Sequence, residues 1–163
     1  MRAAALLVLV ALSPAVLAFD VNGVALGGRE HDVRKAFPSA YCKPLEWKTS
    51  AADRRCDDGQ IAIGGVKAKI TFYLKADAIQ GFDVRFDTRD RDKVVANLRS
   101  RWGAPLADSV ETFARKKGED RKVHKVRWEK GNEHAVLTAQ LERKRATLEA
   151  WRGNFAEEIY RVR

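Results

Sequence analysis

Between Val66 and Phe86 the side chains alternate between apolar and polar, and a period of two admits little besides pleated strands with one buried face. Val66, Ala68, Ile70, Phe72 and Leu74 are interleaved with Lys67, Lys69, Thr71 and Tyr73; Phe82, Val84 and Phe86 are interleaved with Asp83, Arg85 and Asp87. Antiparallel pairing must set Ile70 opposite Val84 and Phe72 opposite Phe82. A slip by one residue would turn phenylalanines toward lysines. That register predicts a connection with an odd number of residues, with 75–78 as the polar link.

The same period returns later. His124, Val126 and Trp128 alternate with Lys125, Arg127 and Glu129, Gly131-Asn132 makes a compact turn, and Ala135, Leu137, Ala139 and Leu141 follow. A two-residue loop sets Trp128 against Ala135 and Val126 against Leu137, with the apolar faces in agreement. A further strand is predicted near 146–151. Helical spacing covers 29–37, with Val33, Ala36 and Phe37 on one side and Pro38 as the stop. It also covers 91–101, where Val94, Val95, Leu98 and Trp102 form a stripe before Gly103 and Pro105. Residues 39–60 show little periodicity and read as a loop carrying both cysteines. Phe155, Ile159 and Val162 mark a short C-terminal helical turn. The order predicts an α+β fold: one domain over 19–163, an antiparallel sheet with two helices packed on one face. The same periodicities fit a tandem helix-plus-sheet repeat with halves 24–87 and 88–163.

Residues 1–18 have the pattern of a secretory signal. Arg2 is the charged start, 3–12 the apolar run, and Ala15-Val16-Leu17-Ala18 supplies the small residues before a cut after Ala18. The apolar run is short for a span of about 20 residues, and Asp20 and Asn22 follow at once. The expected location is outside the cytoplasm, in the periplasm or secreted. Cys42 and Cys56 both lie beyond the cut, and an even count in an oxidising compartment is most simply one disulfide. It would close a loop of about 15 residues, for which chain entropy gives roughly 3 kcal/mol. Redox and zinc sites use a much closer Cys-x-x-Cys spacing.

With 45% apolar and 33% charged residues the chain can bury a core, which excludes a mainly disordered protein. Lys and Arg outnumber Asp and Glu by 31 to 22, so a partner attracted by charge is acidic. The basic residues crowd the second half: Arg115, Lys116, Lys117, Arg121, Lys122, Lys125, Arg127, Arg143, Lys144 and Arg145 are the candidate contacts for an anionic partner. Lysine-rich strands also protect sheet edges, which is the competing explanation. For catalysis the candidates are His31, His124 and His134. His124 and His134 point to opposite sides of the sheet in the register above, and no third metal ligand has suitable spacing. Asp57-Asp58 beside Arg54 and Arg55 reads as a solvated acidic pair. No serine lies in a nucleophile elbow and no glycine pair makes a phosphate loop. No cofactor and no metal are expected.

Leu26-Gly27-Gly28-Arg29-Glu30-His31-Asp32-Val33, the pair Cys42 and Cys56, and Trp102-Gly103-Ala104-Pro105 together resemble the exported helix-plus-sheet family typified by beta-lactamase inhibitor protein and its relatives, the small outer-membrane assembly lipoproteins of the SmpA/OmlA type. The resemblance covers most of 24–151. It implies a two-layer α+β fold and protein binding through an exposed sheet. This chain lacks the second disulfide of the inhibitors and the lipid-attachment cysteine of the lipoproteins. The expected function is therefore non-catalytic binding of a protein or anionic envelope component through the sheet face. The alternatives are a small envelope enzyme using His31, His124 or His134, and a salt-sensitive binder of nucleic acid or lipopolysaccharide.

Overall fold

A computed structural model describes residues 18–162, so the expected leader 1–18 lies outside the described residues except for Ala18. Two short strands, β1 (Asp20–Val21) and β2 (Val24–Ala25), pair with each other at the start. Then come α1 (Glu30–Ala36), β3 (Tyr41–Pro44), β4 (Arg54–Ile63), β5 (Val66–Lys75) and β6 (Ala78–Asp87). A 3₁₀ turn leads into α2 (Arg91–Trp102), followed by β7 (Ala107–Phe113), β8 (Arg121–Lys130), β9 (Glu133–Gln140), β10 (Arg145–Arg152) and α3 (Phe155–Glu158). The fold is α+β, a mostly antiparallel sheet with three helices.

Eight strands form one sheet in the order β3-β4-β5-β6-β10-β9-β8-β7. Each half contributes a helix followed by four strands joined as a meander, and the last strands of the two meanders, β6 and β10, pair antiparallel at the centre. Helix α1 begins where the Asp32 carboxylate accepts the Arg29 backbone N–H at 2.8 Å, half of a capping box. Helix α2 buries Val94, Val95, Leu98 and Trp102 and ends at Gly103, whose φ of 88° is a conformation that a Cβ penalises.

Side chains on successive strand residues alternate between faces, so the pairing assigns each residue to a side. Ile70, Phe72, Phe82, Val84, Leu148, Ala135, Leu137, Val126 and Trp128 share one buried cluster with Val33, Phe37, Val94, Leu98 and Trp102. A second cluster forms around Tyr73 on the other side: Ala51, Ala52, Phe155 and Ile159, flanked by Leu45, Trp47 and Trp151. Gly81 makes room for it, since a Cβ there would stand 2.5 Å from the Phe155 ring.

Ile70 does pair with Val84 and Phe72 with Phe82, and Trp128 pairs with Ala135 and Val126 with Leu137. Two expectations need correction, and one strand was not expected. The β5–β6 loop has two residues, Ala76 and Asp77, not an odd number; both have positive φ, and a register shift between Tyr73 and Leu74 takes up the extra residue. The cysteine segment is not a loop but contains β3 and β4, with Cys42 and Cys56 as direct partners joined by a disulfide. Its alternation is masked in the sequence because a bulge between Asp58 and Ile61 switches the buried positions from even to odd numbers midway along β4. Strand β7 was unforeseen for a different reason: it is an exposed edge strand, and pairing with β8 alone imposes no apolar alternation.

Candidate functional site

The sheet face opposite the larger cluster is ordered by charge. One row of directly paired residues runs Lys69, Arg85, Thr147, Thr138 across β5, β6, β10 and β9. Farther toward the same end of the sheet lie Lys67, the paired Asp87 and Arg145, and Gln140, with Arg143 and Lys144 in the turn before β10. Together they line an open groove of about 1030 Å³. Asp87 is committed chiefly to Arg89, with a weaker attraction to Lys144. Both its oxygens accept from Arg89, at 3.0 and 2.8 Å, and that guanidinium holds its carboxyl down at about 2. Among the described residues Lys67, Lys69, Arg143 and Arg145 have no ion-pair partner, so their charge is available to a ligand.

The next row along the face is acidic. Thr71, Asp83 and Glu149 follow one another across β5, β6 and β10, and the Thr71 hydroxyl donates to Asp57 on β4 at 2.7 Å. Burial first, and Glu149 opposite it second, raise the Asp83 carboxyl to about 6; Arg85 and a long 3.4 Å hydrogen bond from the Tyr73 hydroxyl oppose the rise. Burial raises Glu149 as well. Beyond this row, Tyr73, Gly81, Trp151 and His134 are paired in turn, with the His134 and Trp151 rings stacked 5.6 Å apart. Tyr73, Trp151, Phe155 and Tyr160 with the two carboxylates line a smaller pocket of about 250 Å³. The face thus runs from cationic through acidic to aromatic within four residues of each strand.

The ten basic residues picked out by sequence are dispersed. Arg143, Lys144 and Arg145 line the groove. Arg115, Lys116 and Lys117 lie in the exposed connection between β7 and β8. Lys125 is engaged by Glu111 at 3.1 Å and Arg127 by Glu129 at 2.9 Å, while Arg121 lies over the Phe113 ring and the Lys122 backbone donates to Glu142 at 2.6 Å. The groove's other three cations, Lys67, Lys69 and Arg85, come from the first half and were not singled out. A signal existed: the register that pairs Ile70 with Val84 also puts Lys69 beside Arg85.

The histidines do not converge. His31 is exposed on α1, His124 faces the α2 side and meets the Asp108 carboxylate at 2.7 Å, and His134 stands on the opposite face. Asp58 is buried rather than solvated, accepting from the Ser39 hydroxyl at 2.7 Å and the Gln60 amide at 2.9 Å. Cys42, Cys56 and Glu30 are close enough to suggest metal ligands, but the disulfide removes both thiolates.

No protein-family model, curated protein or solved structure matches the chain. The site's own geometry therefore carries the functional argument. No helix among the described residues is long and apolar enough to cross a membrane.

Proposed function

We propose that the protein is exported and non-catalytic, and that it works by binding an anionic envelope component, or an acidic surface of an envelope protein, in the groove of its sheet. The observation that carries this reading is the gathering of Lys67, Lys69, Arg85, Arg143, Lys144 and Arg145 around one concavity whose single lining carboxylate is already held by Arg89. Thr138, Gln140 and Thr147 add neutral hydrogen-bonding groups between them, which suits phosphate, sulfate or carboxylate oxygens. We read α1 and α2 as packed together on the other face; α3 covers the Tyr73 end of this one and leaves the groove end open to a partner. We read the halves 24–87 and 88–163 as a tandem repeat, supported by a helix and a four-strand meander in each. On that reading the groove lies at the seam, drawing its cations from both copies.

The test is binding to immobilised lipopolysaccharide, polyphosphate and an acidic protein at increasing salt, with the oxidised protein. Retention that falls log-linearly with salt and is abolished by K69E and R145E together supports the groove. Undiminished retention by that double variant overturns it.

A further inference from the structure

Glu133 opens β9 at a core-facing position in line with Ala135, Leu137 and Ala139, and is only 8% exposed. A carboxylate withdrawn from water in this way is costly unless a donor or a cation meets it. Its Oε2 accepts a hydrogen bond from the backbone nitrogen of Phe19 at 2.9 Å. The Arg152 guanidinium Nε stands farther off, 3.8 Å from the other oxygen, and makes no hydrogen bond. Phe19 is held on every side. It has no exposed surface, its ring centroid lies 4.7 Å from that of Trp102, the Lys130 ammonium is 4.9 Å from its ring, and its carbonyl accepts from the Leu26 amide at 2.9 Å.

Phe19 is also the residue that follows the small-residue run ending at Ala18. We infer that the Ala18–Phe19 bond is a processing site, and that the α-ammonium released by its hydrolysis is the ligand of Glu133, ion-paired inside the fold. This rests on the export reading above. Water adds across the amide: Ala18 departs with the leader as a carboxylate, and Phe19 keeps its nitrogen, which is largely protonated at neutral pH. The amide offers Glu133 one N–H. The ammonium offers three and a full positive charge, and charge-assisted hydrogen bonds are roughly twice as strong as neutral ones. Because Phe19 has no exposed surface, a peptidase must cut before this segment docks. Cleavage therefore precedes the last step of folding, and the N-terminus it creates completes the core.

Two measurements test the inference separately from the export reading. Intact mass spectrometry of the chain recovered from an exporting host is expected to show Phe19 as the first residue. An unprocessed chain overturns the export reading, and a different first residue overturns the assigned bond. Urea unfolding is then compared for protein beginning at Phe19, the same protein α-N-acetylated, and one with Gly-Ser ahead of Phe19, each with Glu133 and with E133Q. Blocking or extending the amine is expected to lower the folding equilibrium constant about tenfold when Glu133 is present and to leave the E133Q protein unchanged. If E133Q does not fold, the acetylated protein alone decides. Equal stability of free and acetylated proteins, or equal losses with Glu133 and Gln, overturns the ion pair.

Discussion

Asp83 and Glu149 stand directly opposite each other across the β6–β10 pairing that joins the two halves of the sheet. Like charges in that relationship destabilise a sheet. Here neither has an ion-pair partner among the described residues, although cations outnumber acids in the chain. Their row separates the cationic groove from the aromatic pocket.

This pair makes stability depend on pH. The Asp83 carboxyl is raised from 3.8 to about 6 in the folded chain, by burial first and by Glu149 second. Between those values the folded state holds a proton that the unfolded state has released, so this group's contribution to stability falls as pH rises through that window and stays low above it. D83N removes the charge and keeps the shape. It is expected to be more stable than the parent chain by about 1–2 kcal/mol at pH 8, allowing for partial exposure, with the difference gone near pH 4. Urea midpoints at the two pH values check this; an equal gain at both would assign the effect to packing.

Charge reversal should separate the groove from the remaining basic surface. K69E and R145E act on groove-lining residues, whereas K116E and K117E act in the exposed β7–β8 connection. Each groove charge removed is expected to lower the slope of log affinity against log salt by about one, and the connection variants are expected to change it far less. Titrations of a fluorescent polyanion at four salt concentrations suffice.

Removing the disulfide should act on one edge of the sheet. Cys42 and Cys56 tie the four-residue β3 to β4. The C42S/C56S double variant is expected to lose about 3 kcal/mol of stability, from the freed entropy of its unfolded chain. Hydrogen exchange should show lost protection in β3 while β6 and β10 keep theirs until global unfolding.

Gly81 can be tested through α3. An added methyl would meet the Phe155 ring at 2.5 Å and the Ala150 carbonyl at 3.1 Å. G81A is expected to cost about 1–3 kcal/mol and to displace α3, altering the fluorescence of Trp47, whose indole N–H donates to the Ile159 carbonyl at 2.8 Å. Combining G81A with F155A should recover part of the loss relative to F155A alone, because the two substitutions share one contact.

The candidate site was only partly legible in the sequence. Lys69 beside Arg85 follows from the β5–β6 register, and the Arg143-Lys144-Arg145 run is visible as a charge cluster. Nothing local links them. Arg85 meets Thr147, and Asp87 meets Arg145, only because the two meanders join through their last strands, more than fifty residues apart in the chain. The basic run at 115–117 drew attention because sequence shows the density of charge but not which acids will engage it or which face it will occupy.

Where a local periodicity ran unbroken by a bulge, the sequence alone determined the outcome. The alternations in β5, β6, β8 and β9, the two-residue turn after Lys130, and the buried stripe of α2 ending at Gly103 each follow from periodicity and loop length over a few residues. Tertiary structure decided what these elements met: the β6–β10 seam, the charge-ordered face across it, and the contact of Phe19 with Glu133, 114 residues later. Those meetings depend on burying both halves in common cores, a free energy shared over the whole chain that no short window of sequence contains.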